Sequence, residues 1–326
     1  MSDNDLDFEL ARRIHTVLVL HFIEGMTQGD IARRLNLSAS KVHRLIAQGR
    51  KLGMVKIDIR APFERLTNLE DRLIAATGLD QAVVAPSVSD NPDTNLQQVG
   101  RAAASLLLET VRPGDVIAIT GGKAVSAVVD NLVAEEPIDV TVVPLTGGVQ
   151  GKFYTDVNHL TTRLAERLGA RSMLVHAPLF AESRGQRDML RNMASIRDVF
   201  DLARNANVAL TGVGSVEPRA SSYYDLNPMV DAERHSLVQM GVAAEFMAHL
   251  ILAGGGLADH EMNRRLVALD PSDISGCRKV IGVAAGAVKV RPIQAVLNGG
   301  FLDALVLDEE TANSVLDTMG RQDNVA

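Results

Sequence analysis

The sequence predicts an α/β protein, with a small N-terminal helical module followed by a large domain built around a mostly parallel sheet. Three observations carry this. Residues 9–52 hold apolar positions at helical spacing, cut by capping residues into three segments. From about residue 81, short apolar runs alternate with helical stretches, the pattern of strands buried on both faces with helices between them. Charge separates the two parts. The 326-residue chain has a net charge of -7, yet residues 10–60 hold ten Lys and Arg against Glu24, Asp30 and Asp58. Beyond residue 60 the balance is 23 basic against 33 acidic side chains. A basic module on an acidic body implies that only the N-terminus meets a polyanion.

Composition narrows the classes. Hydrophobic residues at 46% and charged residues at 22% are a globular balance that excludes disorder as the main state. Cys277 is the single cysteine, so neither an internal disulfide nor a thiolate metal cluster can form. With no leader peptide, a reducing cytoplasm is expected. No apolar run reaches the ~18 residues of a membrane span. Aromatic residues are 3%, without tryptophan, which disfavours recognition mainly by stacking.

The elements follow in order. Leu10, Ile14, Val17, Leu18 and Phe22 form the stripe of a helix over 9–25, ended by Gly25. Thr27 caps a helix over 28–35, and Ser38 caps one over 39–52, stopped by Gly53. Val55, Ile57 and Ile59 alternate in a strand over 54–60, one arm of a wing. Ala61–Pro62 breaks the pattern. An amphipathic helix over 63–78 carries Phe63, Leu66, Leu69, Leu73 and Ile74, and either docks on the large domain or pairs subunits. The expected domains are therefore 1–60, a linker over 61–80, and 81–326. In the last, strands are expected at 82–85, 116–120, 140–145, 173–176, 208–212, 280–284 and 304–307. Helices are expected at 96–111, 124–133, 159–168, 187–203, 290–297 and 311–318, distributed by the right-handed crossover rule over both faces of the sheet.

The N-terminal module carries the most specific signal. Residues 27–45 read TQGDIARRLNLSASKVHRL. Small Ala32 sits where two helices cross, and Asn36 sits where the turn needs φ > 0, a position for which Asn is the best choice after glycine. Ile31, Leu35, Leu37, Val42, Leu45 and Ile46 fill the space between the helices. The outer face of the third helix is polar and basic. This is a helix-turn-helix, winged-helix-like if the strand over 54–60 forms, and its second helix enters the DNA major groove. The alternative is an αα-hairpin with a solvated basic face. The candidate DNA contacts are Gln28, Ser40, Lys41, His43 and Arg44, with Thr27 and Ser38 as caps first and phosphate donors second.

In the large domain three predicted strands run into glycines: Gly121–Gly122–Lys123, Thr146–Gly147–Gly148, and Gly212–Val213–Gly214. Open α/β sheets bind ligands at the carboxyl ends of their strands, where glycine lets amides approach an anion. Lys123 is followed by Ala124, so the Walker A loop is absent, and no GxGxxG opens a helix. ATP and dinucleotides are disfavoured, and no cofactor is expected. Glu245 and His249, four apart in a stretch read as helical, share a face as a metal pair, an acid/base pair, sugar-hydroxyl binders or a surface ion pair. With no third ligand at suitable spacing, metal is disfavoured. No GxSxG nucleophile elbow exists, and Cys277 reads as a small inert hydrophobe. Lys289 and Arg291 follow a predicted strand and either bring positive charge to the glycine edge or are simply solvated.

With these residues in view, the chain resembles the SorC/DeoR-type sugar-binding transcriptional regulators of bacteria over residues 17–316. The stretch FIEGMTQGDIARRLNLSASKVHRLIAQGRKLGMVKI is close to that family's signature. Gly100–Arg101–Ala102–Ala103, Arg112–Pro113–Gly114–Asp115, Leu145–Thr146–Gly147–Gly148, DVFDLAR at 198–204, Asn298–Gly299–Gly300 and Asp308–Glu309–Glu310–Thr311–Ala312 recur there in similar form. The resemblance implies a helix-turn-helix joined to a Rossmann-like effector domain and assembly usually as a homotetramer, within an expected self-association as dimer or tetramer. It implies operator DNA and a sugar or polyol effector, usually phosphorylated, as partners. It also implies that Gly121–Gly122 and Lys289 hold the phosphate while Glu245 binds hydroxyls. The chain departs from the family in placing Lys123–Ala124 after the glycines and Ala244–Glu245 where a Gly-Asp pair is usual. The competing expectation is a sugar-phosphate enzyme with an appended basic module. No catalytic constellation supports it. The expected effector site comprises Gly121, Gly122, Lys123, Gly147, Gly148, Gly212, Gly214, Glu245, His249 and Lys289.

Overall fold

The computed structural model describes residues 8–55, 66–150, 154–216, 223 and 229–322. The chain divides into two units, Met1–Phe63 and Glu64–Ala326.

The first unit is built from α1 (Phe8–Leu18), a π-helical turn (Val19–Ile23), α2 (Gln28–Arg34) and α3 (Ala39–Lys51). Its core is Ile14, Val17, Leu18, Leu20, Ile31, Ala32, Val42, Leu45 and Ile46. Asn36 takes φ +53°, the left-handed conformation that the turn between α2 and α3 requires. Gly49 lies against Ile14 and Leu18 so closely that a Cβ would collide with both. Met54 and Val55 are not in a strand; the rest of the strand expected over 54–60, the break at Ala61–Pro62 and the start of the helix at Phe63 lie outside the described residues.

In the second unit, α4 (Thr67–Thr77) is the described part of the predicted linker helix. It packs on the sheet through Leu69 and Leu73, and Glu70 accepts the Val84 amide at 3.0 Å. Its apolar stripe is thus consumed within this unit. The strands are β1 (Gln81–Ala85), β2 (Val116–Ile119), β3 (Thr141–Pro144), β4 (Arg171–Ser172), β5 (Val208–Gly214), β6 (Val242–Phe246), β7 (His249–Leu252), β8 (Lys279–Val283) and β9 (Ala304–Asp308). The main sheet has the order β1-β9-β8-β5-β2-β3-β4, with every pair parallel. From β2 the chain winds to β3 and β4. From β5 it winds the other way, to β8 and β9. The crevice between β2 and β5 is therefore the switch point, where doubly wound sheets open to ligands.

Helices cover both faces. On one lie α5 (Pro92–Thr110), α6 (Lys123–Asn131) and α7 (Val157–Leu168), which bury Val99, Leu107, Val128 and Leu160. Gly100 lets α5 approach the Ala127 backbone of α6, where a Cβ would clash. On the other face lie α4, α9 (Ala194–Arg204), α12 (Val290–Asn298) and α13 (Glu309–Gln322), with Val199, Phe200, Ile293 and Val315 buried. Among the described residues the remaining α-helices are α8 (Arg184–Asn192), α10 (Asp231–Gln239) and the short α11 (Glu261–Arg265).

Several expectations are corrected. The run 173–176 is not a strand; only Arg171–Ser172 pairs with β3. The single helix over 187–203 is two, broken where Met193 takes an extended ψ of 129°. The stretch holding Glu245 and His249 is a β-hairpin, not a helix. Its sequence VAAEFMAHLIL is apolar almost throughout, so periodicity does not separate helix from strand there.

Cys277 is buried, and desolvation, then the Asp303 carboxylate, pushes its thiol up to about 11. An ion pair anchors the start of β2. Asp115 is buried and accepts from Arg278 Nη2 at 2.6 Å and from the Arg112 amide at 2.8 Å. Burial pushes this carboxyl up. The Arg278 hydrogen bond, the Arg112 amide and both guanidinium charges outweigh it and leave the carboxyl below its ordinary value. Asp115→Ala is expected to cost about 2–3 kcal/mol near neutral pH, because Arg278 loses its carboxylate partner, keeping the Thr110 carbonyl, and the Arg112 amide loses its acceptor. A depressed carboxyl stabilises above its unfolded value of about 4 and ceases to do so as pH falls through the folded one. Urea unfolding of both chains at pH 7 and pH 3 checks this, with the gap between them narrowing in acid.

Candidate functional site

In the first unit the caps form as the sequence requires. Thr27 Oγ1 accepts from the Asp30 amide at 3.2 Å and donates to Asp30 Oδ2 at 2.6 Å. The Thr27 hydroxyl, then the Arg33 guanidinium, hold the Asp30 carboxyl below its ordinary value. Ser38 Oγ accepts from the Lys41 amide at 3.2 Å. Val42, Leu45, Ile46 and Gly49 turn inward on α3. Ser40, His43 and Arg44 are exposed beside Thr27 and Ser38, while Gln28 and Lys41 are half-buried. Apart from the two committed hydroxyls, this face offers donors and positive charge at the N-terminal half of α3. That is what a recognition helix presents to base edges and phosphates.

In the second unit a cavity of about 160 Å³ opens at the β2/β5 crevice. Gly121, Gly122, Lys123, Gly212, Gly214, Glu245 and Lys289 all line it, so seven of the ten predicted effector residues converge. Thr120 follows the last residue of β2, and its hydroxyl accepts the Gly212 amide at 3.4 Å across the crevice. Gly121 passes so close to the Thr155 carbonyl that no Cβ fits. Gly122, at φ +120°, turns the chain into α6. The Gly122 amide is spent on the Tyr154 carbonyl at 2.7 Å, which leaves the amides of the first turn of α6, without intrahelical acceptors, as the backbone donors at this end of the strand. Lys123 is exposed, its ammonium 5.6 Å from the centre of the Tyr154 ring.

Lys289 arrives by a separate device. Asp308 Oδ2 and Thr311 Oγ1 accept the Gly286 amide at 2.8 and 2.9 Å, fixing the turn before Lys289. This gives the Asp308–Thr311 motif a structural task. Lys289 is half-buried, and Arg291 is exposed beyond it on α12. Burial pushes the Lys289 ammonium down, Glu245 opposes this, and Lys123 adds to it.

Glu245 faces the same space from β6. Here the third glycine turn is corrected. Gly212 and Gly214 are not in a turn, because β5 runs on through Gly214 and pairs antiparallel with β6, Gly214 opposite Glu245. A Cβ on Gly214 would collide with the Glu245 carboxylate, so this glycine makes room for the acid. The carboxylate accepts the Ala248 amide at 2.6 Å. Burial raises the Glu245 carboxyl, against the Ala248 amide, Lys289 and His249, which pull it down.

Three predicted residues are placed differently. Gly147 lines a smaller adjoining space of about 40 Å³ with Thr120, Thr146, Thr155 and Glu245, but its amide goes to the Val267 carbonyl at 2.7 Å. Gly148 faces a separate cleft with Asp156 and Asn158, its amide bound to the Ala177 carbonyl at 2.9 Å. His249 lines neither cavity and is buried behind the hairpin turn, so it cannot touch a ligand there. Among the described residues no group of three His, Cys, Asp or Glu lies close enough to hold a metal ion. The sequence reading missed Asp93 and Leu96 at the start of α5, and the hydroxyls of Thr120, Thr146 and Thr155. Thr120 and Thr146 adjoin the glycines and could have been read with them.

Residues 61–317 match the family model of a sugar-binding domain, and residues 9–52 match sigma-70 region 4. The chain is 31% identical over 317 residues to the erythritol catabolism regulatory protein EryD of Brucella abortus, covering 96% of this chain and 98% of that one. It is 30% identical to the sorbitol operon regulator of Klebsiella pneumoniae, covering 94% of this chain and 98% of that one. The crystal structure of the full-length sorbitol operon regulator SorC from Klebsiella pneumoniae superposes with a TM-score of 0.71 at 28% identity, covering 94% of this chain and 99% of that one.

Proposed function

The chain belongs to the SorC/DeoR-type family of sugar-binding transcriptional regulators, and from that premise we propose that its effector is a small phosphorylated sugar or polyol held at the β2/β5 crevice. The enzyme alternative is set aside, because the matched relatives are regulators. One observation carries the proposal. Lys123, at the head of α6, and Lys289, from the turn after β8, line a single cavity whose acids are Glu245 and Asp93. A phosphate is satisfied by the ammonium groups and the first turn of α6. Sugar or polyol hydroxyls donate to Glu245, with the threonine-lined space beyond it for the rest of the ligand. The relatives' names point to four- to six-carbon polyols as first probes. A thermal-shift screen of matched phosphorylated and free sugars and polyols tests the proposal. The expected result is stabilisation by a phosphorylated member over its free counterpart. Equal stabilisation by both members of every pair would remove the phosphate site.

On the DNA side, Gln28, Ser40, Lys41, His43 and Arg44 are the proposed contacts with double-stranded operator DNA, and Thr27 and Ser38, whose hydroxyls serve as caps, hold the helix N-termini toward it. Arg44→Ala is expected to weaken operator binding by about 1–3 kcal/mol if it reads a base, in a sequence-dependent way and with folding unchanged. Fluorescence anisotropy on operator and scrambled duplexes separates base reading from phosphate contact. One helix-turn-helix reads too few bases for useful specificity, so an even-numbered assembly, a dimer or tetramer, on a palindromic operator is part of the proposal. Light scattering at micromolar concentration checks it. The cytoplasm, where the operator lies, is the proposed location. No helix among the described residues is long and apolar enough to cross a membrane.

A further inference from the structure

We propose that His249 is a positioning residue: it clamps the Met247–Ala248 turn and thereby sets the Glu245 carboxylate that faces the cavity. The proposal rests on the reading of Glu245 as an effector contact, but its geometry stands without a ligand. The hairpin between β6 and β7 turns on Met247 at φ +52° and Ala248 at φ +63°, two successive left-handed residues without the freedom of glycine. Such a turn persists only where its surroundings hold it. The Ala248 amide is the donor that fixes Glu245 Oε1, at 2.6 Å. A turn that opens releases the carboxylate.

The ring of His249 is the restraint. It is buried, with Nδ1 3.0 Å from the Met247 carbonyl oxygen and Nε2 3.1 Å from Asp270 Oδ1. The Met247 carbonyl can only accept, so Nδ1 donates to it while Nε2 faces the Asp270 carboxyl. One contact holds the turn, and the other holds the ring. Asp270 is itself fixed, its amide donating to Asp273 Oδ2 at 3.0 Å at the head of the 3₁₀ turn Pro271–Ile274. The chain of contacts therefore runs from Asp270 through the imidazole to the turn, and from the Ala248 amide to Glu245.

Amide hydrogen exchange on the full-length, unliganded protein tests this, so the result does not depend on whether Glu245 binds hydroxyls. Ala248 reports the turn. Leu250, whose amide donates to Asn263 Oδ1 at 2.8 Å, is the control on the same hairpin. His249→Leu is expected to lower protection at Ala248 by about tenfold or more and leave Leu250 within about twofold. His249→Asn, which keeps a donor at the Nδ1 position, is expected to restore Ala248 to within about threefold of wild type, and His249→Gln is not. If the ring merely filled space, the larger Gln would rescue better than Asn. Asp270→Asn, at a half-exposed site, gives a second variant should the His249 changes impair folding, with a smaller loss expected at Ala248 alone. Unchanged protection at Ala248 in His249→Leu, parallel loss at Ala248 and Leu250, or better rescue by Gln would each overturn the proposal.

Discussion

A chain of residues 64–326 is expected to keep the effector affinity of the full protein and to lose specific operator binding by about a thousandfold or more. The units have separate cores, one centred on Ile14, Ile31 and Leu45, the other on the two faces of the parallel sheet. Removing the first leaves every cavity-lining residue in place. It also removes the basic excess. Residues 64–326 hold 23 basic against 33 acidic side chains, so what remains repels a polyanion and loses non-specific binding as well. Anisotropy with labelled operator near 0.15 M salt, alongside calorimetry with the effector, checks both halves. Specific operator binding by residues 64–326 would falsify the assignment of the DNA interface.

The second large effect separates charge from hydroxyl recognition. Lys289→Ala is expected to weaken a phosphorylated ligand by one to two orders of magnitude while barely changing its unphosphorylated analogue. A charge-assisted hydrogen bond to phosphate contributes about 1.5–3 kcal/mol, and a neutral ligand never makes it. Glu245→Gln is expected to weaken both ligands alike, since both offer the same hydroxyls. The two residues also set opposite limits on pH. Lys289 sits below its ordinary value because burial outweighs the pull of Glu245. Phosphate affinity therefore falls as pH rises through that lowered value, earlier than for an exposed lysine. Burial holds Glu245 above its ordinary value, so hydroxyl acceptance falls as pH drops through it. Affinity is expected to peak between these limits, and calorimetry across pH on both variants checks the sign. If Lys289→Ala treats the two ligands equally, the phosphate lies elsewhere.

The N-terminal unit was legible because its rules are local. A cap needs a hydroxyl or carboxylate three residues from the amide it accepts, and Thr27 and Ser38 stand there. The turn needs a residue tolerant of positive φ, and Asn36 supplies it. The parallel sheet was legible for a related reason: strands buried on both faces read as short, continuous apolar runs. Gly121 and Gly122, directly after the apolar run of β2, stand in the sequence at the sheet edge where the cavity opens.

The candidate site itself was decided by tertiary structure. Which amides remain for a ligand depends on carbonyls distant in sequence: Tyr154 takes Gly122, Val267 takes Gly147 and Ala177 takes Gly148. Gly214 looked like a turn residue, yet its reason is the carboxylate of Glu245, 31 positions away and pressed against it. Glu245 and His249 looked like neighbours on one helical face. The hairpin sends the first toward the cavity and the second behind the turn, through two left-handed residues that sequence does not mark. The sequence by itself determined which chemistry the chain carries and the order of its elements, because caps, turns and apolar periods act over a few residues. Only the tertiary structure decided which groups meet, because burial, steric room and hydrogen-bond competition are settled by parts of the chain that come together only once it has folded.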